Sequence, residues 1–254
     1  MITFNYGTMN SAKSVNLICK ANELKQKRFK FICLYPGVDE RTEEGFITSR
    51  TGLKIEATKI TDGCSLYEKL EEIIKEEYKY ILVDEVQFLD EKCINMFLHI
   101  SEKHNINILC YGLLTDFQTH LFPASKRLVE IADKLHNIES YCECGNKASI
   151  NARINKEGKL VTEGDQFLVG SEDKYKTLCK GCYLKELESR HDKVNASRIE
   201  YNKGDILIHA KDYEEFEVQK VYEEHLKIVS RDNKRKSKIY NIDYINQNFI
   251  LKCF

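Results

Sequence analysis

Three groups of residues in this chain have types and spacing that could do chemistry. The first is Gly7-Thr8-Met9-Asn10-Ser11-Ala12-Lys13-Ser14, which approximates Gly-x4-Gly-Lys-Ser/Thr with alanine at the second glycine. Such a loop turns several backbone N–H groups into one concavity at a helix N-terminus, where the helix dipole also favours an anion. Lys13 would reach the outer phosphates as a mobile point charge, and Ser14 would set its hydroxyl on Mg2+. The bland alternative is a Gly/Ser loop with a surface lysine. The second group is Asp84-Glu85, at the end of the apolar run Tyr80-Ile81-Leu82-Val83. Asp84 would hold the Mg2+ that bridges the phosphates; Glu85, one residue on, points elsewhere and is free to act as a base. Two solvated acids at a strand end are the alternative. The third is Cys142-x-Cys144 with Cys179-x2-Cys182, 34 residues apart. Four thiolates are a common structural zinc set, with no open position for catalysis. The C-x-C half is less usual than C-x2-C, and four unlinked thiols are the alternative.

The surrounding sequence supplies the elements that position these groups. Residues 1–135 alternate short apolar runs with helical patterns: strands over Ile2–Asn5, Phe29–Tyr35, Tyr80–Val83 and Ile106–Tyr111, and helices over Ser14–Leu24, Leu66–Ile74 and Leu89–Ile100. That alternation predicts a parallel sheet flanked by helices, with the phosphate loop at the end of the first strand. Between 136 and 190 the texture changes to short strand-like pieces at Ser149–Ile154, Leu160–Thr162 and Phe167–Val169, then a short helix from Cys182. This reads as a small β lobe clipped at both ends by cysteine pairs. Residues 191–254 hold strand-like pieces at Asp205–His209, Phe216–Tyr222, Leu226–Ser230, Ile239–Ile245 and Phe249–Leu251, which predicts a small β-rich module.

Composition limits the possible roles. With 254 residues, 39 Lys+Arg against 40 Asp+Glu, and 42% hydrophobic content, the chain is globular and not a basic coat for nucleic acid. No nucleic-acid partner is expected. The longest apolar stretch, Ile106–Leu114, is interrupted by Asn107 and too short to span a bilayer, so no membrane association is expected either. The N-terminus opens directly on a strand pattern, which points to a cytoplasmic protein without a signal peptide. Cys19, Cys33, Cys64, Cys93 and Cys110 occur singly, mostly beside apolar neighbours and without ligand-like spacing, and read as small buried hydrophobes.

Over about residues 1–190 the chain resembles the type II (cytosolic-type) thymidine kinases. The resemblance rests on the GTMNSAKS loop, Asp39-Glu40-Arg41, Ser49-Arg50-Thr51-Gly52-Leu53 and Val83-Asp84-Glu85-Val86-Gln87-Phe88. It continues through Cys110-Tyr111-Gly112-Leu113, Thr115-Asp116-Phe117-Gln118, Phe122, the segment 142–148 and Val169–Tyr175 to Cys179–Tyr183. It implies a zinc-held β lobe, or lasso, that closes over the nucleoside base, and transfer of the γ-phosphoryl group of ATP to the 5′-hydroxyl of thymidine, with deoxyuridine as a further acceptor. By resemblance Glu85 is the general base. Gly7 to Ser14 with Asp84 and Gln87 bind ATP and Mg2+. Met9, Arg41, Phe88, Leu113, Phe117, Phe122 and Tyr175 form the nucleoside pocket, and the backbone of Gln166, Phe167, Leu168, Val169 and Gly170 pairs with the thymine edge. A homotetramer is implied in the same way. For each apolar residue, ordinary core is the alternative.

Two departures stand out. At Ala12 a helical backbone would cost little, whereas a positive φ would strain the phosphate loop by about 1–3 kcal/mol. A catalytically impaired nucleotide-binding sensor or scaffold with structural zinc is therefore the runner-up. The other departure is the extension: 64 residues follow Arg190, with 12 Lys/Arg, 11 Asp/Glu and a basic run over 231–238. That run reads as a solvated hairpin tip before it reads as a binding patch.

Overall fold

A computed structural model describes residues 1–37, 44–164, 166, 174–194, 201, 203–209, 214–221, 225–231, 237–242, 245 and 248–251. Its first strand, β1 (Ile2–Tyr6), buries Ile2 and Phe4 and runs into the phosphate loop. Helix α1 (Lys13–Gln26) follows, then β2 (Phe31–Pro36), a hairpin of β3 (Phe46–Thr48) and β4 (Lys54–Glu56), and β5 (Thr58–Ile60). Helix α2 (Gly63–Lys75) starts at a reciprocal cap: Asp62 Oδ1 accepts from Ser65 N at 2.8 Å, and Ser65 Oγ accepts from Asp62 N at 3.1 Å. Then come β6 (Tyr80–Val83), a 3-10 turn (Val86–Phe88), α3 (Glu91–His104), β7 (Asn107–Gly112), α4 (Pro123–Ile131) and β8 (Lys134–Asn137).

Six strands form one sheet in the order β5-β2-β6-β7-β1-β8, every pair parallel. Successive residues of β7 serve opposite faces. Ile108 and Cys110 join Leu66, Leu70, Phe97 and Leu128 of α2, α3 and α4; Leu109 and Tyr111 join Leu17, Ile18, Ala21 and Leu24 of α1. Burial on both faces explains why β6 and β7 read as unbroken apolar runs. The predicted sheet flanked by helices is thus the observed architecture.

The lasso lobe carries the antiparallel pair β9 (Ile150–Ile154) and β10 (Lys174–Leu178), followed by α5 (Lys180–Val194). Its core is small: Ala152, Ile154, Leu160 and Leu178 beside Cys142 and Cys179. The strand expected at Leu160–Thr162 is reduced to a single bridge, Ile154 with Leu160. The expected strand at Phe167–Val169 lies outside the described residues.

Contacts divide the chain into two units, Met1–His191 and Asp192–Phe254. The second contains β11 (Ile206–His209), β12 (Glu215–Val221), β13 (His225–Ser230), β14 (Ser237–Asn241) and β15 (Phe249–Leu251) in one antiparallel sheet, ordered β14-β13-β12-β11-β15. Four consecutive strands form a meander, and the fifth returns to the first. Tyr201, Leu207, Val218, Leu226, Ile228 and Ile245 form its core. Ile245, expected at the end of a strand, lies beyond β14 and is buried in that core. Among the described residues, no helix is long and apolar enough to cross a membrane.

Candidate active site

The parallel sheet brings the phosphate loop and the acidic pair to one edge. β1 delivers Gly7, and β6, two strands away across β7, delivers Asp84. Gly7 is needed for its lack of a side chain: a Cβ there would lie 2.5 Å from the Ile138 carbonyl oxygen and 2.5 Å from Ser11 Oγ. Lys13 is buried; its Nζ donates to the Thr8 carbonyl at 2.7 Å and more distantly to that of Gly7 at 3.4 Å. Ser14 Oγ donates to Asp84 Oδ2 at 2.8 Å, so the two residues expected around Mg2+ already meet.

Asp84 is 5% exposed. Burial, reinforced by the neighbouring Glu85 carboxylate, pushes its carboxyl up to about 7, against the hydrogen bond from Ser14. Its Oδ1 and Ser11 Oγ are buried and make no hydrogen bond within the protein. An oxygen ligand set beside a serine hydroxyl fits a hard divalent cation, and the Ser11 hydroxyl lies where the loop would meet phosphate. A bound cation would restore Asp84 to its ionised form.

Ala12 caps α1 at φ 61°, ψ 29°, the left-handed conformation that glycine adopts without strain. Asn10 is also left-handed, at φ 64°. The Ala12 side chain is exposed, so removing its methyl loses no packing. Ala12→Gly is expected to stabilise the unit by about 0.5–1 kcal/mol, the relieved strain less glycine's greater unfolded entropy. In calorimetry this corresponds to a Tm rise of roughly 1–4 °C. A fall in Tm would show that the loop favours alanine.

Glu85 is left-handed as well, at φ 46°, ψ 39°, and opens the 3-10 turn. Its Oε2 accepts from Gln87 Nε2 at 2.6 Å, while Gln87 Oε1 accepts from the Leu113 N–H at 2.9 Å. Gln87 is therefore engaged at both ends of its amide, one end on the carboxylate and one on the backbone of the predicted pocket wall. Gly112 leaves room for it: a Cβ there would come within 2.5 Å of Gln87 Oε1.

The predicted apolar wall is partly assembled. Phe88 and Phe122 meet edge to face at 6.2 Å, Phe117 is fully buried under the Arg153 guanidinium at 5.0 Å, and Leu113 and Met9 are half-buried. Tyr175 stands opposite Arg153 in the β9–β10 register and, with Asn10, lines a cleft of about 190 Å3. Gln166 donates to Asp116 Oδ2 at 3.0 Å, and Gln118 donates to the Thr162 carbonyl at 2.9 Å, so side-chain hydrogen bonds fasten the lasso to the wall loop. Arg41, Phe167, Leu168, Val169 and Gly170 lie outside the described residues.

Sequence reasoning missed Asn151, Arg153 and Asp116, all buried. Asn151 and Arg153 alternate with Ile150, Ala152 and Ile154, a pattern that normally puts the polar side in water. Asp116 stood inside a family motif but signalled nothing by itself.

In the lasso the thiols of Cys142, Cys144, Cys179 and Cys182 all lie within 4.8 Å of one another. Zinc–sulfur bonds of about 2.3 Å place tetrahedral sulfurs about 3.8 Å apart, and Cys144 and Cys179 are separated by 3.6 Å. The backbone at Asn146 holds the Cys144 thiol below its usual range, and the other three thiols push Cys182 up to about 12. Four soft donors crowded this closely fit one zinc ion.

The first 183 residues match the family model "Thymidine kinase". Curated relatives include thymidine kinases of Zymomonas mobilis, 36% identical over 187 residues (73% of this chain, 97% of the relative), and of Agrobacterium fabrum, 38% over 178 residues (70% and 92%). That of Listeria monocytogenes is 35% identical over 181 residues, covering 71% of this chain and 94% of its own. A solved Pif1 helicase structure overlays with a TM-score of only 0.29 at 9% identity, covering 94% of this chain and 71% of the other, which bears on neither fold nor function.

Proposed function

We propose, from the premise that this chain belongs to the thymidine kinase family, that it moves the γ-phosphoryl group of ATP to the 5′-hydroxyl of thymidine and, less selectively, of deoxyuridine. The observation that carries this reading is the convergence of the Gly7–Ser14 loop with Asp84 and Glu85, joined through the Ser14–Asp84 hydrogen bond. The 5′-oxygen attacks the γ-phosphorus, its proton passes to Glu85, and the bond to ADP breaks.

Lys13 would exchange its loop carbonyls for phosphate oxygens, and Ser14 and Asp84 would hold Mg2+. When bound, Mg2+ neutralises charge on the β- and γ-oxygens. Gln87 orients Glu85 from the Leu113 backbone. Phe88, Phe117, Phe122, Leu113 and Met9 enclose the base, where one methyl group is worth about 1–3 kcal/mol of discrimination. Arg41, Tyr175 and the backbone of residues 166–170 complete the nucleoside side. The protein works in the cytoplasm as a homotetramer.

Radiolabelled thymidine with Mg-ATP tests this reading, run beside the other deoxynucleosides. Thymidine monophosphate should form well above the other products. A folded, zinc-loaded protein that binds ATP yet forms no monophosphate above blank would return it to the sensor class.

A further inference from the structure

Strand β9 sets a buried asparagine against the phosphate loop. Asn151 is 3% exposed. Its Oδ1 accepts from the Met9 backbone N–H at 2.7 Å, and its Nδ2 donates to the Thr115 carbonyl at 3.4 Å. Met9 sits at the loop tip beside Asn10, and both Asn10 (φ 64°) and Ala12 (φ 61°) are left-handed. Backbone in that region persists where the surroundings over-determine it.

Lys13 holds the loop from within, through the Thr8 carbonyl, and other groups hold it from outside. The Thr8 hydroxyl pairs with that of Ser140, and Arg50 donates to the Asn10 side chain. Ser140 is half-buried and Arg50 exposed. Asn151 differs from both, because it is buried and takes a backbone N–H. A buried amide bond meets little competition from water, and deleting its acceptor leaves that N–H without compensation.

We infer that Asn151 is a positioning residue of the donor site, which fixes the Met9 amide and so holds the phosphate loop in its nucleotide-binding shape. This rests on the reading that the Gly7–Ser14 loop binds ATP. The Met9 N–H is thereby assigned to protein rather than to phosphate. Through Thr115 the same side chain reaches the loop that carries Leu113 and Phe117. One amide thus joins the donor side, the acceptor wall and the lasso strand.

The test is Asn151→Leu, similar in size but without polar atoms, with three readouts in zinc-loaded protein. Affinity for a non-hydrolysable Mg-ATP analogue should fall roughly three- to tenfold, as expected for one buried hydrogen bond. Hydrogen exchange at the Met9 amide should change from protected to fast. The loss of activity should fall more on the KM for ATP than on turnover at saturating substrates, since the reacting groups are untouched. A purely structural role would instead lower the active fraction, leaving analogue affinity and Met9 exchange as in the native protein. Unchanged affinity or unchanged exchange overturns the inference.

If Asn151→Leu does not fold, Asn151→Asp decides the matter, because it keeps the acceptor oxygen. Met9 should then remain protected, and fast exchange there overturns the inference. Native protein that binds the analogue but phosphorylates no nucleoside defeats the functional reading alone and leaves the role of Asn151 to these measurements.

Discussion

Replacing Glu85 by glutamine is expected to lower turnover by roughly a hundred- to ten-thousandfold, the usual contribution of a positioned general base. Affinity for Mg-ATP should stay within a few-fold. The substitution keeps the shape of the side chain and an oxygen for Gln87 Nε2, which now lies 2.6 Å from the carboxylate. It removes the group that receives the proton. The phosphate contact proposed for Lys13 and the Mg2+ contacts proposed for Ser14 and Asp84 come from α1 and the end of β6 and use no atom of the Glu85 side chain. Steady-state kinetics and calorimetry on one preparation separate the two quantities. Full turnover by Glu85→Gln would remove this residue from the role of base. The left-handed backbone at Glu85, φ 46°, fits a residue held at a cost of about 1–3 kcal/mol for the sake of its placement.

Loss of metal from the lasso is the other large expected effect. A two-stranded sheet alone is marginal in water, and β9–β10 has only a few apolar side chains beneath it. Structural zinc supplies roughly 10–16 kcal/mol in small domains, far more than such a core does. Purified protein should carry about one zinc per chain. Chelation, or Cys179→Ser, should release it, open residues 136–183 to protease and abolish nucleoside phosphorylation. The α/β sheet should still melt cooperatively, because its two cores share no residue with the lasso cluster. Metal-free protein with a protease-resistant lasso would show that the four cysteines act without an ion.

The parts of the fold that were legible in the sequence are those where burial writes a pattern. β6 reads Tyr-Ile-Leu-Val because both of its faces are covered, and the helical spacing of Leu66, Leu70 and Ile73 marks the side of α2 that packs on the sheet. β5 and β8 escaped notice because they are edge strands. Lys-Leu-His-Asn of β8 is exposed throughout and joins the sheet through its backbone pairing with β1 and one side-chain contact, His136 Nδ1 with Asn5 Oδ1 at 3.2 Å. Helix α4 starts on Pro123 and buries just Ala124, Ser125 and Leu128, too few apolar residues for a periodic signal. The hairpin of β3 and β4 was visible only as a family motif.

The candidate site divides in the same way. Lys13, Ser14, Asp84, Glu85 and the four cysteines could be found because their chemistry needs particular residue types at short spacings. Asn151, Asp116 and Gln118 could not, since their roles arise from partners 40 or more residues away in three of the four bonds they make across the site. Only the folded chain shows that Gln87 is braced by Leu113, 26 residues later.

The order of the sheet has one more consequence. Because β7 stands between β1 and β6, the loop and the acidic pair are held two inter-strand steps apart, about 9.5 Å. Main-chain pairing sets that spacing at the strand ends, and the Ser14–Asp84 hydrogen bond spans it at the side chains. The lasso and the wall can therefore change while the main-chain spacing of the loop and the acidic pair is kept by the sheet.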